Sequence, residues 1–179
     1  MQKHLVLTLI GRDRPGLVHA LSETVAAGGG NWLDARMASL AGHFAGILLV
    51  AVDAAKADAL LAALDKLETH GLELTVQESD SAVIEPSGAT ERIVRIELIG
   101  LDRPGIVRDI SRVIAARNAS ITELETEMAS GSFSGEAMFK AQALVQLPAS
   151  VDLDMLRAEL EGLANELMVD LDLESASST

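Results

Sequence analysis

The chain contains no cysteine and no tyrosine, and its aromatics are one Trp and three Phe. Without thiols there can be no disulfide, no thiolate metal site and no cysteine nucleophile, and the compartment stays open on redox grounds. So few aromatics force an aliphatic core. They also count against an RNA-binding sheet, which stacks bases on exposed rings. Cations are scarce as well: 14 Lys and Arg stand against 27 Asp and Glu, a formal net charge of −13 over 179 residues. Direct nucleic-acid binding draws most of its affinity from neutralised phosphates, so this balance argues against it. No apolar run approaches the roughly 20 residues needed to span a bilayer, so no membrane association is expected. Met1-Gln2-Lys3-His4 leads straight into a strand-like pattern with no signal peptide, and a cytoplasmic protein is expected. His4, His19, His43 and His70 sit in unlike segments at no ligand spacing, and no metal is expected. Gly28-Gly29-Gly30 lacks the Gly-Lys-Ser/Thr of a phosphate loop and follows a helical pattern, so it reads as a helix stop. No nucleophile, base and orienting partner can be assembled from one region, and the chain is not expected to be an enzyme.

What the sequence does have is a repeat. Gly11-Arg12-Asp13-Arg14-Pro15-Gly16 returns as Gly100-Leu101-Asp102-Arg103-Pro104-Gly105, displaced by 89 positions. Each copy follows an apolar run, Leu5 to Ile10 or Ile93 to Ile99. Each also opens a helical apolar pattern: Leu17, Val18, Leu21 and Val25 in the first, Ile106, Val107, Ile110 and Ile114 in the second. Pro15 suits the first position of a helix, where its missing N–H costs nothing. The Asp13 carboxylate is then placed to accept from the free amides of the first turn.

In chain order the pattern predicts a strand at 4–10, a helix at 15–27, strands at 31–40 and 44–52, a helix at 55–70, and a strand through Leu72, Leu74 and Val76. Ala41-Gly42-His43 reads as a hairpin turn. The second round predicts a strand at 92–99, a helix at 104–117, strands at 119–129 and 136–147, a helix at 151–166, and a strand through Val169, Leu171 and Leu173. Ser130 to Gly135 makes a longer hairpin loop, which lengthens the offset to 95 by Phe44 and Phe139. Asp152-Leu153-Asp154 opens an amphipathic helix and reads as capping. The expected division is 1–79, a polar linker 80–91, 92–174, and a frayed tail 175–179. The expected fold class is α+β: two ferredoxin-like βαββαβ domains, each a four-stranded antiparallel sheet with two helices on one face. Such sheets leave a face and an edge open, so association with copies of the same chain is expected.

A βαββαβ unit whose first strand ends in Gly-x-Asp-Arg-Pro-Gly resembles the ACT domain, and the resemblance covers both units. It implies a regulatory module that binds an amino acid where paired domains meet. The contacts are the loop after the first strand and the start of the second strand. Carried onto this chain, these are Asp13, Arg14, Pro15, Gly16 and Leu17 with Asn31 and Trp32, and Asp102, Arg103, Pro104, Gly105 and Ile106 with Ser120 and Ile121. Tandem copies in a chain of this length further resemble transcriptional regulators. That implies glycine or another small amino acid as effector, a protein partner such as a transcriptional activator, and no cofactor. The chemistry is coherent: a ligand carboxylate suits the amides of a helix N-terminus, and its ammonium suits Asp13, Asp102 or the Asn31 carbonyl. Ser120 in place of Asn31 weakens the second site. Two alternatives stand beside this. The Asp-Arg-Pro-Gly loops can be turns that serve only the fold, in a ligand-independent module that oligomerises and regulates another protein. Trp32 fits either a ligand pocket or a buried position.

Overall fold

The computed structural model describes residues 1–79, 92–130 and 137–175. The expected linker 80–91, most of the longer hairpin loop and the tail beyond Ser175 lie outside the described residues. The chain divides into two compact units. The first runs β1 (Gln2–Arg12), α1 (Leu17–Ala27), β2 (Asn31–Leu40), β3 (His43–Asp53), α2 (Ala54–Leu64), a 3-10 helix (Asp65–His70) and β4 (Leu72–Ser79). The second runs β5 (Arg92–Leu101), α3 (Ile106–Ala116), β6 (Ser120–Ser130), β7 (Ala137–Leu147), α4 (Leu153–Leu167) and β8 (Val169–Ser175). Both sheets are antiparallel, ordered β2-β3-β1-β4 and β6-β7-β5-β8, so the first strand of each unit lies inside its sheet. Both units are therefore ferredoxin-like, as the pattern predicted.

One face of each sheet is buried against its helices. In the first unit Leu5, Leu7 and Leu9 of β1 and Leu48, Val50 and Val52 of β3 meet Leu17, Leu21 and Val25 of α1 and Leu60 and Leu64 of α2. In the second, Val94, Ile96 and Leu98 meet Ile106, Ile110 and Ile114, with Leu156 and Leu160 of α4. Val18 and Val107 fall outside this stripe and are 47% and 40% exposed, contrary to their placement on the core face. An i+1 neighbour sits about 100° around a helix, beyond the narrow contact that each helix makes with its sheet. The predicted single helix 55–70 ends at Leu64 and tightens into the 3-10 turn, which stops at Gly71 with φ 72. The hairpin between β2 and β3 turns on Ala41 and Gly42, both at positive φ, and His43 already belongs to β3. Two positive-φ residues match the type I′ turn that the strand twist favours.

The outer faces differ. On the first sheet Val6, Thr8 and Ile10 lie beside Leu49, Ile47 and Ala45. At the matched places on the second sheet Arg95, Glu97 and Ile99 lie beside Leu144, Gln142 and Lys140. Glu123, Glu125 and Glu127 flank them on β6, and Asp170, Asp172 and Glu174 on β8.

The glycines of the repeated hexapeptide have separate reasons. A Cβ on Gly11 would strike the Gly71 carbonyl oxygen, and one on Gly100 would strike Val169. Gly16 and Gly105 instead take φ 92 and 100. These mechanisms predict opposite rankings in urea unfolding. Gly16→Ala should cost of order 1–3 kcal/mol, with Gly16→Asn milder because Asn tolerates left-handed backbone. Gly11→Ala should cost roughly 1–3 kcal/mol by overpacking, with the larger Asn worse. Equal costs for Ala and Asn at both positions would refute the distinction.

Candidate functional site

Asp13-Arg14-Pro15-Gly16 leaves β1 where the strand meets the hairpin. The Asp13 amide donates to the Gly42 carbonyl at 2.9 Å, and Asp102 does the same to Ala137 at 2.9 Å. Gly16 sits at φ 92, ψ 0 and Gly105 at φ 100, ψ 0. That is the third position of a type II turn, whose second position favours proline. Pro15 and Pro104 accordingly precede their helices by two residues. The expectation that Pro15 opens the helix is corrected: a Pro-Gly pair fits the turn better than a helical first turn does. The expected cap by Asp13 is corrected too. Its carboxylate accepts from the Ser39 hydroxyl at 2.6 Å, and no side chain caps α1. With a turn between them, Asp13 is drawn to β2 rather than to the helix.

This leaves a contrast among the four described α-helices. Asp53 caps α2, its Oδ1 accepting from the Ala55 amide at 3.0 Å. Asp152 caps α4, its Oδ1 accepting from the amides of Asp154 and Met155 at 2.9 and 3.2 Å. The helices that follow the two Asp-Arg-Pro-Gly loops have no side-chain cap. Their first-turn amides, Leu17 to His19 and Ile106 to Arg108, precede the first intrahelical bonds, Ala20 to Gly16 and Asp109 to Gly105. Such amides, at the positive end of the helix dipole, suit an anion. The side chains of Leu17 and Ile106 are buried in the core, so these residues offer backbone only.

In the first unit the loop borders an open groove of about 380 Å³, lined by Arg14, Pro15, Gly16, Leu17, Ala20, Glu23, Thr24, Leu67 and Leu72. It therefore presents a cation at one end and a carboxylate, Glu23, two helical turns along. Sequence reasoning missed Glu23. The signal was its spacing: Gly16, Ala20 and Glu23 lie on one helical face. In the second unit the Arg103 guanidinium donates to the Glu166 carbonyl at 3.1 Å, near the end of α4, where a cation complements the helix dipole. The corresponding part of the first unit is the 3-10 turn, and Arg14 lines the groove instead.

Asn31 and Ser120 do not join these loops within a unit. Asn31 pairs with Ala51, which pairs with His4, whereas the loop leaves β1 beyond Arg12, which pairs with His43. The separation is eight residues of strand, about 26 Å. Ser120 pairs with Gln146, beside Ile93, while Leu101 pairs with Met138 at the far end. Trp32 lies on the helix side of the sheet, half-buried against the first core, as Ile121 is in the second. Both precede a bulge in their edge strand. Among the described residues no cluster of His, Asp and Glu is placed to hold a metal. No helix among them is long and apolar enough to cross a membrane.

Comparison with known proteins agrees with this architecture. ACT-domain sequence profiles match residues 3–77 and 88–165. The glycine cleavage system transcriptional repressor of Escherichia coli is 26% identical over 169 residues, covering 93% of this chain and 86% of the repressor. A crystal structure of a protein of unknown function from Galdieria sulphuraria superposes with a TM-score of 0.85 at 29% identity, covering 99% of this chain and all of that one. A crystal structure named for a glycine cleavage system transcriptional repressor superposes with a TM-score of 0.73 at 20% identity, covering 99% of each chain. At that identity the likeness speaks for the fold alone. Two profile matches in tandem, over two βαββαβ units that each carry the Asp-Arg-Pro-Gly turn, place this chain in the ACT-domain family as a regulatory protein related to the glycine cleavage system repressor.

Proposed function

We propose that this protein senses a small amino acid, glycine or one close to it, and controls transcription of the glycine cleavage system through a protein partner. The observation that carries the reading is the pair of uncapped helix N-termini after the repeated loops, in a chain whose other two helices are capped by aspartates. In the first unit the ligand carboxylate would meet the amides of Leu17 to His19 with Arg14 alongside. Asp13 or Glu23 would take the ammonium. Asp102, Arg103, Pro104, Gly105 and Ile106 form the matching loop of the second unit. Asn31 and Ser120 would contribute only across a pairing of units or chains, because each stands at the far end of its own sheet. The kinship to the Escherichia coli repressor supplies the regulated system. The net charge of −13 supports action through a protein rather than direct contact with DNA. The reading also takes the protein to work in the cytoplasm, as an association of like chains.

A second reading has one observation in its favour. Asp13 is already bonded to Ser39, so the acidic residue of the motif serves the turn. On that view the domains are a ligand-free interaction module that oligomerises to regulate another protein.

A thermal-shift screen against the twenty amino acids separates the two. A ligand at 100 times its dissociation constant adds about 2.7 kcal/mol of stability. Glycine or a close relative should raise the melting temperature, and Arg14→Ala and Glu23→Gln should each weaken that response at least several-fold. Silence across the panel at millimolar ligand would leave only the interaction module. For the partner, the purified chain should fail to shift a glycine cleavage promoter fragment in a gel at physiological salt. It should bind once the operon's activator protein is added. A shift by the chain alone would overturn indirect control.

A further inference from the structure

The two loops share a backbone but not their surroundings. Gly16 has no atom within 4 Å of where a Cβ would stand. Beside Gly105 the same point is 3.0 Å from Arg108 Nη2 and 3.7 Å from Asp109 Oδ2. Those two side chains form a forked pair: Arg108 Nε donates to Asp109 Oδ1 at 2.9 Å, and Nη2 to Oδ2 at 3.1 Å. Arg112 Nη2 stands 3.9 Å from Asp109 Oδ1. The Arg108 hydrogen bond holds the Asp109 carboxyl below the usual carboxylate range, and the charges of Arg112 and Arg103 add to the effect. The Asp109 side chain is only 17% exposed, while that of Arg108 lies over it with 76% of its surface open.

At the matched positions, 89 residues earlier, the first unit has His19, Ala20 and Glu23 in place of Arg108, Asp109 and Arg112. Ala20 has no functional group to lay over the turn, and it lines the open groove. The His19 side chain is 82% exposed and lies along the helix, 3.9 Å from Glu23. So the first loop keeps an open approach, with Asp13 bonded to Ser39 and Glu23 beside His19 but neither laid over the turn. The second carries its own carboxylate and its own guanidinium at the turn.

We propose that the second loop is occupied by the protein itself: the Arg108–Asp109 pair stands where a zwitterionic ligand would lie, and the residue at 20 or 109 decides which loop takes one. This rests on the reading of the loops as amino-acid sites. What excludes the ligand is the space those side chains fill and the charges they already satisfy, not the strength of an exposed pair. The chain therefore takes one small amino acid, in the first unit.

Exchanging the residues tests it. Full-length protein is titrated with glycine by calorimetry. Wild type should take one glycine per chain. H19R/A20D, which builds the pair over Gly16, should bind at least tenfold more weakly, with circular dichroism confirming the fold. R108H/D109A should keep the first event. Two glycines per wild-type chain, or undiminished binding by H19R/A20D, would overturn the proposal. Hydrogen exchange judges the pair without any ligand. The amides of 105–107 should exchange several-fold faster in R108H/D109A than in wild type, while those of 16–18 stay unchanged. Equal rates at 105–107 would overturn self-occupation. If wild type binds no amino acid, the sensing function falls, and the exchange measurement still decides the pair.

Discussion

A strand bonded along both edges and covered on one face has no room for a side chain where a neighbour crosses its end. That restriction shapes both units. β1 pairs with β3 and β4, and β5 with β7 and β8. At their ends Gly11 and Gly100 lie too close to Gly71 and Val169 for a Cβ. The chain must then turn within a few residues to lay a helix back over the sheet. Proline fixes one dihedral of that turn and glycine supplies the positive φ of the next. The helix starts at once, with glycine at its N-cap and so no side chain there to bond its amides. A free helix N-terminus beside an acidic residue is thus a by-product of sheet pairing, available for a ligand wherever nothing else fills it.

The periodic parts of this arrangement were legible in the sequence. Alternation in Leu5, Leu7 and Leu9, and the i, i+4, i+8 stripe of Leu17, Leu21 and Val25, each follow from the geometry of a single element and appear with it. The repeat reported two copies before any pairing was known. Features that depend on residues far along the chain were not legible. Asp13 turns to Ser39, 26 positions away, and no local rule for helix caps anticipates that competitor. Asn31 stands away from the loop of its own unit, because the crossover helix puts β2's first residue at the opposite end from β1's last. Glu23 could have been found by carrying the helical face from Gly16 onward. The early end of α2 at Leu64 had no clear breaker to announce it, since Gly71 lies a full 3-10 turn later.

The difference between the copies is concentrated in side chains that the fold does not need. Core positions match apolar for apolar, as Leu21 does with Ile110 and Val25 with Ile114. The helix surfaces diverge, with Ala20 against Asp109 and Glu23 against Arg112. Hydrophobic packing therefore preserved the architecture while leaving the two turns free to acquire unlike neighbours.

The outer sheet faces extend that divergence to the scale of the whole chain. Val6 and Ile47 stand where the second unit has Arg95 and Gln142, and acids border the second face on both flanks. A duplicated gene whose halves had kept one surface could shed either half and work as a dimer of the other. Here the halves have become different parts. The first face is mostly apolar along its middle strands and bordered by Asp34 and Arg36 on β2 and Glu73 and Gln77 on β4, whereas the second is charged from its middle outward. The tandem linkage fixes one of each per molecule, a composition that free assembly of separate domains would not guarantee.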